Sequence, residues 1–162
     1  MAAVLLFQMP RAQAQIGIYG EFSAADFNLP NTDWQYGTTF GLYYDRWKVP
    51  FLALGVDGRG SVIGSGSDRI ISGLAGPRLE LKPPVLPLKP FVEALVGAGR
   101  ADVGEGGAYS STTRLEYQFL GGADATIFPR VDWRIVEFSY RGFSGASFNP
   151  KSLSTGIVLR LP

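Results

Sequence analysis

From Trp34 to Asp45 the chain changes character at every step. Trp34, Tyr36, Thr38, Phe40, Leu42 and Tyr44 are mostly large and apolar, whereas Gln35, Gly37, Thr39, Gly41, Tyr43 and Asp45 are mostly small or polar. A period of two is the side-chain period of a β-strand, because successive residues point to opposite faces. Strands in soluble domains usually run only about 5–6 residues. A chain that sustains this alternation builds a sheet with two chemically different faces, and a helical fold is excluded.

The same pattern recurs along the 162 residues. Ile16, Ile18 and Phe22 oppose Gln15, Gly17, Tyr19, Glu21 and Ser23. Leu52, Leu54, Val56 and Val62 oppose Ala53, Gly55, Asp57, Arg59 and Ser61. Ile71, Ala75, Leu79 and Leu81 oppose Ser72, Gly76, Arg78, Glu80 and Lys82. Val92, Ala94, Val96 and Ala98 oppose Glu93, Gly97 and Gly99. Leu115, Tyr117, Phe119, Ala123, Ala125 and Ile127 oppose Glu116, Gln118, Gly122, Asp124 and Thr126. Val136, Phe138 and Tyr140 oppose Ile135, Glu137 and Ser139. Leu153, Thr155, Ile157, Leu159 and Leu161 oppose Ser154, Gly156, Val158 and Arg160. Eight strands result.

Their connections alternate. Asp45–Pro50, Lys82–Lys89 and Pro129–Arg130 contain proline, and two of the three are short. Asn28–Asp33, Gly64–Asp68, Asp102–Thr113 and Gly142–Lys151 are rich in Gly, Ser and Asn and mostly longer. Tight turns at one end and longer polar loops at the other describe an all-β, antiparallel, up-and-down barrel, whose closure leaves no edge. Asp102–Thr113 is expected to be the loosest loop.

Two residue types are missing altogether. With no cysteine and no histidine, the chain has no disulfide framework, no Cys/His zinc site and no histidine general base. Net charge is +1, too little for a nucleic-acid footprint. No run of 18 apolar residues exists, which excludes a membrane helix but not a membrane strand of about 9–11 residues. At the start, apolar Ala2–Met9 precedes Ala12-Gln13-Ala14, a small-x-small cleavage pattern. Residues 1–14 therefore read as a signal peptide shortened at its basic end, and 15–162 as one barrel domain.

Which face is inside decides the class. A lipocalin-like carrier of an apolar ligand would put the apolar face inside and a charged face in water. A membrane barrel does the opposite. Only 18% of residues are charged, too few for a solvated sheet surface. Bulky aromatics gather at the strand ends, with Trp34, Tyr36 and Tyr140 toward the loops and Trp47, Phe128 and Trp133 toward the turns. They suit two interfacial girdles.

Eight such strands, the signal segment, the proline-marked turns, Arg114-Leu115-Glu116-Tyr117-Gln118-Phe119, Glu137-Phe138-Ser139-Tyr140 and terminal Gly156-Ile157-Val158-Leu159-Arg160-Leu161 resemble the small outer-membrane β-barrels of the OmpA/opacity-protein type. The family's terminal aromatic is replaced by Leu161 followed by Pro162. The resemblance implies an outer-membrane transmembrane barrel of a Gram-negative type of cell, with periplasmic termini and four outer loops. Its partners would be outer-membrane lipid, the barrel-assembly machinery and an external ligand at the loops, and it would be a monomer.

The inward charges are Asp57, Arg59, Arg78, Glu80, Lys82, Glu93, Glu116, Asp124, Glu137 and Arg160. Eight strands leave an interior just wide enough for side chains, and charges there must pair. A salt-bridge network that plugs the lumen is the expectation, formed between hairpin neighbours. A narrow gated channel lined by the same residues is the alternative. Catalysis has little to stand on. Glu116 and Asp124 are about 26 Å apart along a strand at about 3.3 Å per residue, although a cross-strand Glu93–Glu116 pair stays open. Gly97-Ala98-Gly99 and Gly104-Glu105-Gly106-Gly107 lack a phosphate-loop context, and Asp102 and Glu105 lack calcium-loop spacing. The expected protein is non-enzymatic, without cofactor or metal, and structural or surface-recognising in role.

Overall fold

A computed structural model describes residues 15–27, 33–65, 68–105, 108–147 and 149–161. The signal-peptide reading of residues 1–14 lies outside them. Eight strands run in order: β1 (Gln15–Asp26), β2 (Gln35–Val49), β3 (Leu52–Ser65), β4 (Asp68–Leu81), β5 (Leu88–Glu105), β6 (Ala108–Phe128), β7 (Val131–Phe143) and β8 (Lys151–Leu161). Each pairs antiparallel with its neighbour, and β8 returns to β1 to close the barrel. Ile16↔Leu161 and Asp26↔Lys151 bound that closing ladder, so Gln15 and Leu161 both lie at the turn end.

The sheet is turned as a membrane barrel requires. Phe40, Leu42, Val56 and Phe119 are each more than half exposed on the outer wall. Glu21, Asp57, Arg78, Glu80, Glu116 and Glu137 are buried inside. An apolar wall outside and an ionic interior invert the lipocalin arrangement, so the soluble-carrier alternative fails. Trp34, Tyr36, Trp47, Phe128 and Trp133 all stand exposed at strand ends, while Tyr140 is half-buried. Among the described residues no helix is long and apolar enough to cross a membrane, and the crossing elements are strands.

Three features depart from the expected pattern. First, Ile135 does not face inward. The β7–β8 register slips between Arg134 and Glu137, so Ile135 and Val136 are both exposed while Arg134 and Glu137 are both buried. A bulge adds one residue to one strand and re-aims the side chains beyond it. Second, the described part of Asp102–Thr113, residues 102–105 and 108–113, is strand rather than loose loop, and 106–107 lie outside the described residues. β5 and β6 stay paired from Leu88↔Ala125 up to Glu105↔Ala108, as a hairpin longer than any neighbour. Third, Gly64–Asp68 is mostly strand, with Gly64↔Arg69 and Ser65↔Asp68 in register.

Two tyrosines explain two glycines. Tyr19 pairs with Gly41, and Gly17 pairs with Tyr43. A Cβ at Gly41 would overlap the Tyr19 ring, and one at Gly17 would overlap the Tyr43 ring. Each ring lies across the glycine opposite it, which is how two large side chains share an eight-stranded lumen.

Candidate functional site

Among the described residues, the lumen is where charged side chains concentrate. Three arginines stand at its centre, each from a different strand. Arg59 reaches Asp57 at 3.2 Å on its own strand, then crosses to Glu93 at 3.0 Å and Glu137 at 2.6 Å. Arg78 pairs with Glu93, and with Glu80 at 3.0 Å and Asp124 at 3.5 Å. Arg134 takes Asp124 at 2.9 Å, Glu137 at 3.0 Å and Glu21. Each guanidinium thus holds three carboxylates, and Glu93, Asp124 and Glu137 each bridge two arginines. An arginine presents five donors in a rigid fork and keeps its proton in proteins, which suits it to be the hub of such a net.

Aromatic rings fill the space between hubs. The Arg78 guanidinium lies 4.3 Å from the ring centres of both Tyr43 and Phe91. Arg134 lies 4.4 Å from Phe91 and from Tyr19, and Arg59 lies 5.4 Å from Tyr19. Tyr43, Arg78, Phe91, Arg134, Tyr19 and Arg59 form an alternating run of rings and guanidiniums. Cations stacked on ring faces gain most where water is excluded.

Tyr19 also donates to Asp57 Oδ2 at 2.6 Å. Tyr19→Phe keeps the ring stack and removes that donor. It should cost about 1–3 kcal/mol, the usual result of leaving a buried acceptor short. Urea unfolding in lipid vesicles reads it; an unchanged midpoint would mean that Asp57 is satisfied by Arg59 alone.

Toward the loops the network thins into hydroxyls. Ser23 bonds Thr39 at 3.1 Å and Ser154 at 2.8 Å, and Ser139 bonds Ser152 at 2.6 Å. Arg141 approaches Ser61 at 3.0 Å, Ser72 at 3.3 Å and Glu116 at 3.4 Å. Above them Ala25, Phe27, Ile63, Ile70 and Phe143 pack into an apolar cap, with Ala146 against it. A second apolar patch, Leu74, Phe91, Leu95 and Leu120, lines the lumen side of β4 to β6, so the interior is less polar than the strand faces suggest. At the turn end Lys82 meets Asp45 at 2.9 Å, Lys89 meets Asp132 at 2.8 Å, and Arg160 Nε lies 2.9 Å from Asp132.

Of the expected lumen residues, Asp57, Arg59, Arg78, Glu80, Glu93, Asp124 and Glu137 meet in one cluster. Glu116 stands apart with Arg141, and Arg160 stands at the turn-end mouth. The pairing is not confined to hairpin neighbours: Arg59 on β3 reaches β5 and β7. Glu93 and Glu116 form no dyad, since Glu93 is opposite Leu120 while Glu116 is opposite Gly97. Sequence reasoning missed Arg134 and Arg141, because the β7 bulge and the end of the alternating segment hid their phase. It also left Glu21, Asp45 and Asp132 out of the network. The adjacent apolar pair Ile135-Val136 between Arg134 and Glu137 was the available signal of a bulge. Among the described residues no group of three acidic side chains is arranged to hold a metal ion.

No family model and no curated protein matches the sequence. Solved structures do match in shape. Neisserial surface protein A is similar over 90% of this chain and 96% of its own, with TM-score 0.62 and 19% identity. The N-terminal barrel domain of Pseudomonas aeruginosa OprF gives TM-score 0.58 at 13% identity, covering 92% of this chain and all of that one. The Yersinia pestis attachment invasion locus protein Ail, solved with the heparin analogue sucrose octasulfate, gives TM-score 0.52 at 15% identity, covering 91% and 97%. The fold is that of the small eight-stranded outer-membrane barrels, and the outward apolar wall is the membrane face such barrels present.

Proposed function

We propose that the protein is a non-enzymatic outer-membrane barrel with a structural or surface-recognition role, its lumen closed by its own side chains. One observation carries the reading: Arg59, Arg78 and Arg134 are buried at the barrel centre with Glu21, Asp57, Glu80, Glu93, Asp124 and Glu137 around them. Charges locked into each other across a narrow lumen leave no continuous water path. The apolar cap of Phe27, Ile63, Ile70 and Phe143 adds a second barrier at the loop end. Periplasmic termini, a monomer in lipid, and insertion by the assembly machinery belong to the same proposal.

Recognition, on this reading, belongs to the β5–β6 hairpin. Pairing of β4 with β5 runs out at Arg69↔Asp102, and pairing of β6 with β7 at Glu116↔Phe143. Ser144 N–H still donates to the Leu115 carbonyl, and Arg114 to the Ser144 and Gly145 carbonyls; beyond them the β5–β6 pairing continues to Glu105↔Ala108, a site that can vary without disturbing the barrel.

Wild-type protein in planar bilayers should give no steady conductance, while unboiled samples migrate as a compact barrel on gels. Steady discrete conductance would make the channel the better reading. Replacing residues 103–110 by a two-residue Asn-Gly turn should leave the gel shift intact and lower adhesion of cells displaying the barrel. Unchanged adhesion would leave the structural role.

A further inference from the structure

The β4–β5 ladder is interrupted on the outer wall. It pairs Ala75 with Val96 and resumes at Arg78 with Glu93, skipping the two positions between. Pro77, in that gap, has no backbone N–H to give a ladder. A groove of about 370 Å³ opens there on the outer face, walled by Leu54, Pro77, Leu79, Val92, Ala94 and Phe119. Its rim belongs to four successive strands, β3 to β6, and its low centre is made of Pro77 and Ala94. Arg78 and Glu93 also border it, but their side chains turn away into the lumen network, where neither is exposed.

We propose that this groove seats one acyl chain of a phospholipid from the turn-side leaflet. Its position argues for that occupant. Leu54 is the register partner of Trp47, a member of the exposed turn-end girdle, so the groove begins at headgroup level and runs into the apolar belt. Leu54, Leu79, Val92 and Phe119 are themselves part of the belt's exposed surface, and the groove is continuous with the membrane face of the barrel. A chain lying in it would cover a wall that has lost part of its backbone ladder, where lipid offers no hydrogen bonds.

The lining argues against a headgroup. Leu54, Pro77, Leu79, Val92, Ala94 and Phe119 offer no charged or hydrogen-bonding side chain, and the Arg78 and Glu93 side chains are fully buried on the lumen side of the wall. A lipid in this groove depends on the membrane-facing wall alone, and not on whether the lumen conducts.

The chain has no cysteine, so Ala94→Cys and, as a control, Ala98→Cys each introduce a single thiol. Ala98 is exposed on the same strand outside the groove. Each variant is folded into phosphatidylethanolamine/phosphatidylglycerol nanodiscs and checked by gel mobility. It is then capped with hexyl methanethiosulfonate, which avoids any folding defect. Native mass spectrometry of the released barrel counts retained phospholipid. Wild type and both uncapped variants should keep one lipid. Capping Cys at 94 should lower the lipid-bound fraction about ten-fold, the factor expected when roughly two methylenes lose their seat; capping at 98 should not. Equal retention at both capped positions, or no lipid held by the wild type, would overturn the proposal. Displacement of the lipid by added oleate at equal concentration would also overturn it, in favour of a fatty-acid site.

Discussion

Arg134→Ala should lower the unfolding free energy by about 3–5 kcal/mol, the loss expected when one partner of a buried ionic network is removed. Arg134 is fully buried. Its guanidinium donates to both Asp124 oxygens, at 2.9 and 3.3 Å, to Glu137 Oε2 at 3.0 Å, and to Glu21 Oε1. The other Glu21 oxygen has no protein partner, so the substitution leaves that carboxylate stranded. It also opens a gap between the Tyr19 and Phe91 rings that the guanidinium separates. Charge and packing losses therefore act in the same direction. Arg160→Ala is the comparison. That side chain is 22% exposed and meets Asp132 at the turn-end mouth, so the loss should stay below about 1 kcal/mol. Urea titration in lipid vesicles, read by gel mobility, gives both numbers. Adding Glu21→Gln to Arg134→Ala should recover part of the loss, because the stranded charge is gone. Equal effects at 134 and 160, or no recovery in the double variant, would show that the centre of the lumen is hydrated rather than locked.

The faces of the strands were legible because alternation is local. Leu42, Val56, Val96 and Ile157 are exposed and Thr39, Asp57 and Glu93 are buried, as a period of two demands. Phase is also where local reading breaks. One extra residue in β7 turns Ile135 outward and places Arg134 and Glu137, three apart, on the same side. One of the three hubs, Arg134, was thus lost to a bulge that alternation cannot register. Cross-lumen partners were not legible either. Arg59 meets Glu137 across 78 residues of sequence, a contact set by how far the closed sheet is sheared rather than by neighbouring strands. The Gly- and Ser-rich stretch 102–113 looks like a loop by composition, yet its described residues, 102–105 and 108–113, are held extended by pairing within the β5–β6 hairpin. Composition reports flexibility of the isolated chain; hydrogen-bonded pairing decides the fold.

Val56→Arg should cost about 1–3 kcal/mol, between the values for a basic side chain at the midplane of a barrel's lipid face and at its interface, because Val56 lies two residues inside the girdle-level Leu54. Val56 is 57% exposed and is flanked in register by Tyr44 on β2 and Pro77 on β4. Neither neighbour offers an anion, and lipid cannot hydrate a guanidinium. An arginine there must distort the bilayer or stretch toward the interface. Leu42→Arg, Val96→Arg and Ile157→Arg should behave alike, since all share the outward phase and exposure. The buried position Thr39 sets the opposite expectation. Thr39→Ser keeps the hydroxyl that meets Ser23 at 3.1 Å and removes one methyl, worth about 0.8 kcal/mol. In water the ranking would invert: an arginine on an exposed strand is nearly free, whereas a shrunken interior is felt. Refolding titrations in vesicles therefore report which medium the wall faces. A Val56→Arg barrel as stable as wild type in lipid would mean that the exposed apolar wall is covered by protein instead of acyl chains. The groove over β4 and β5 would then be part of a protein interface rather than a lipid seat.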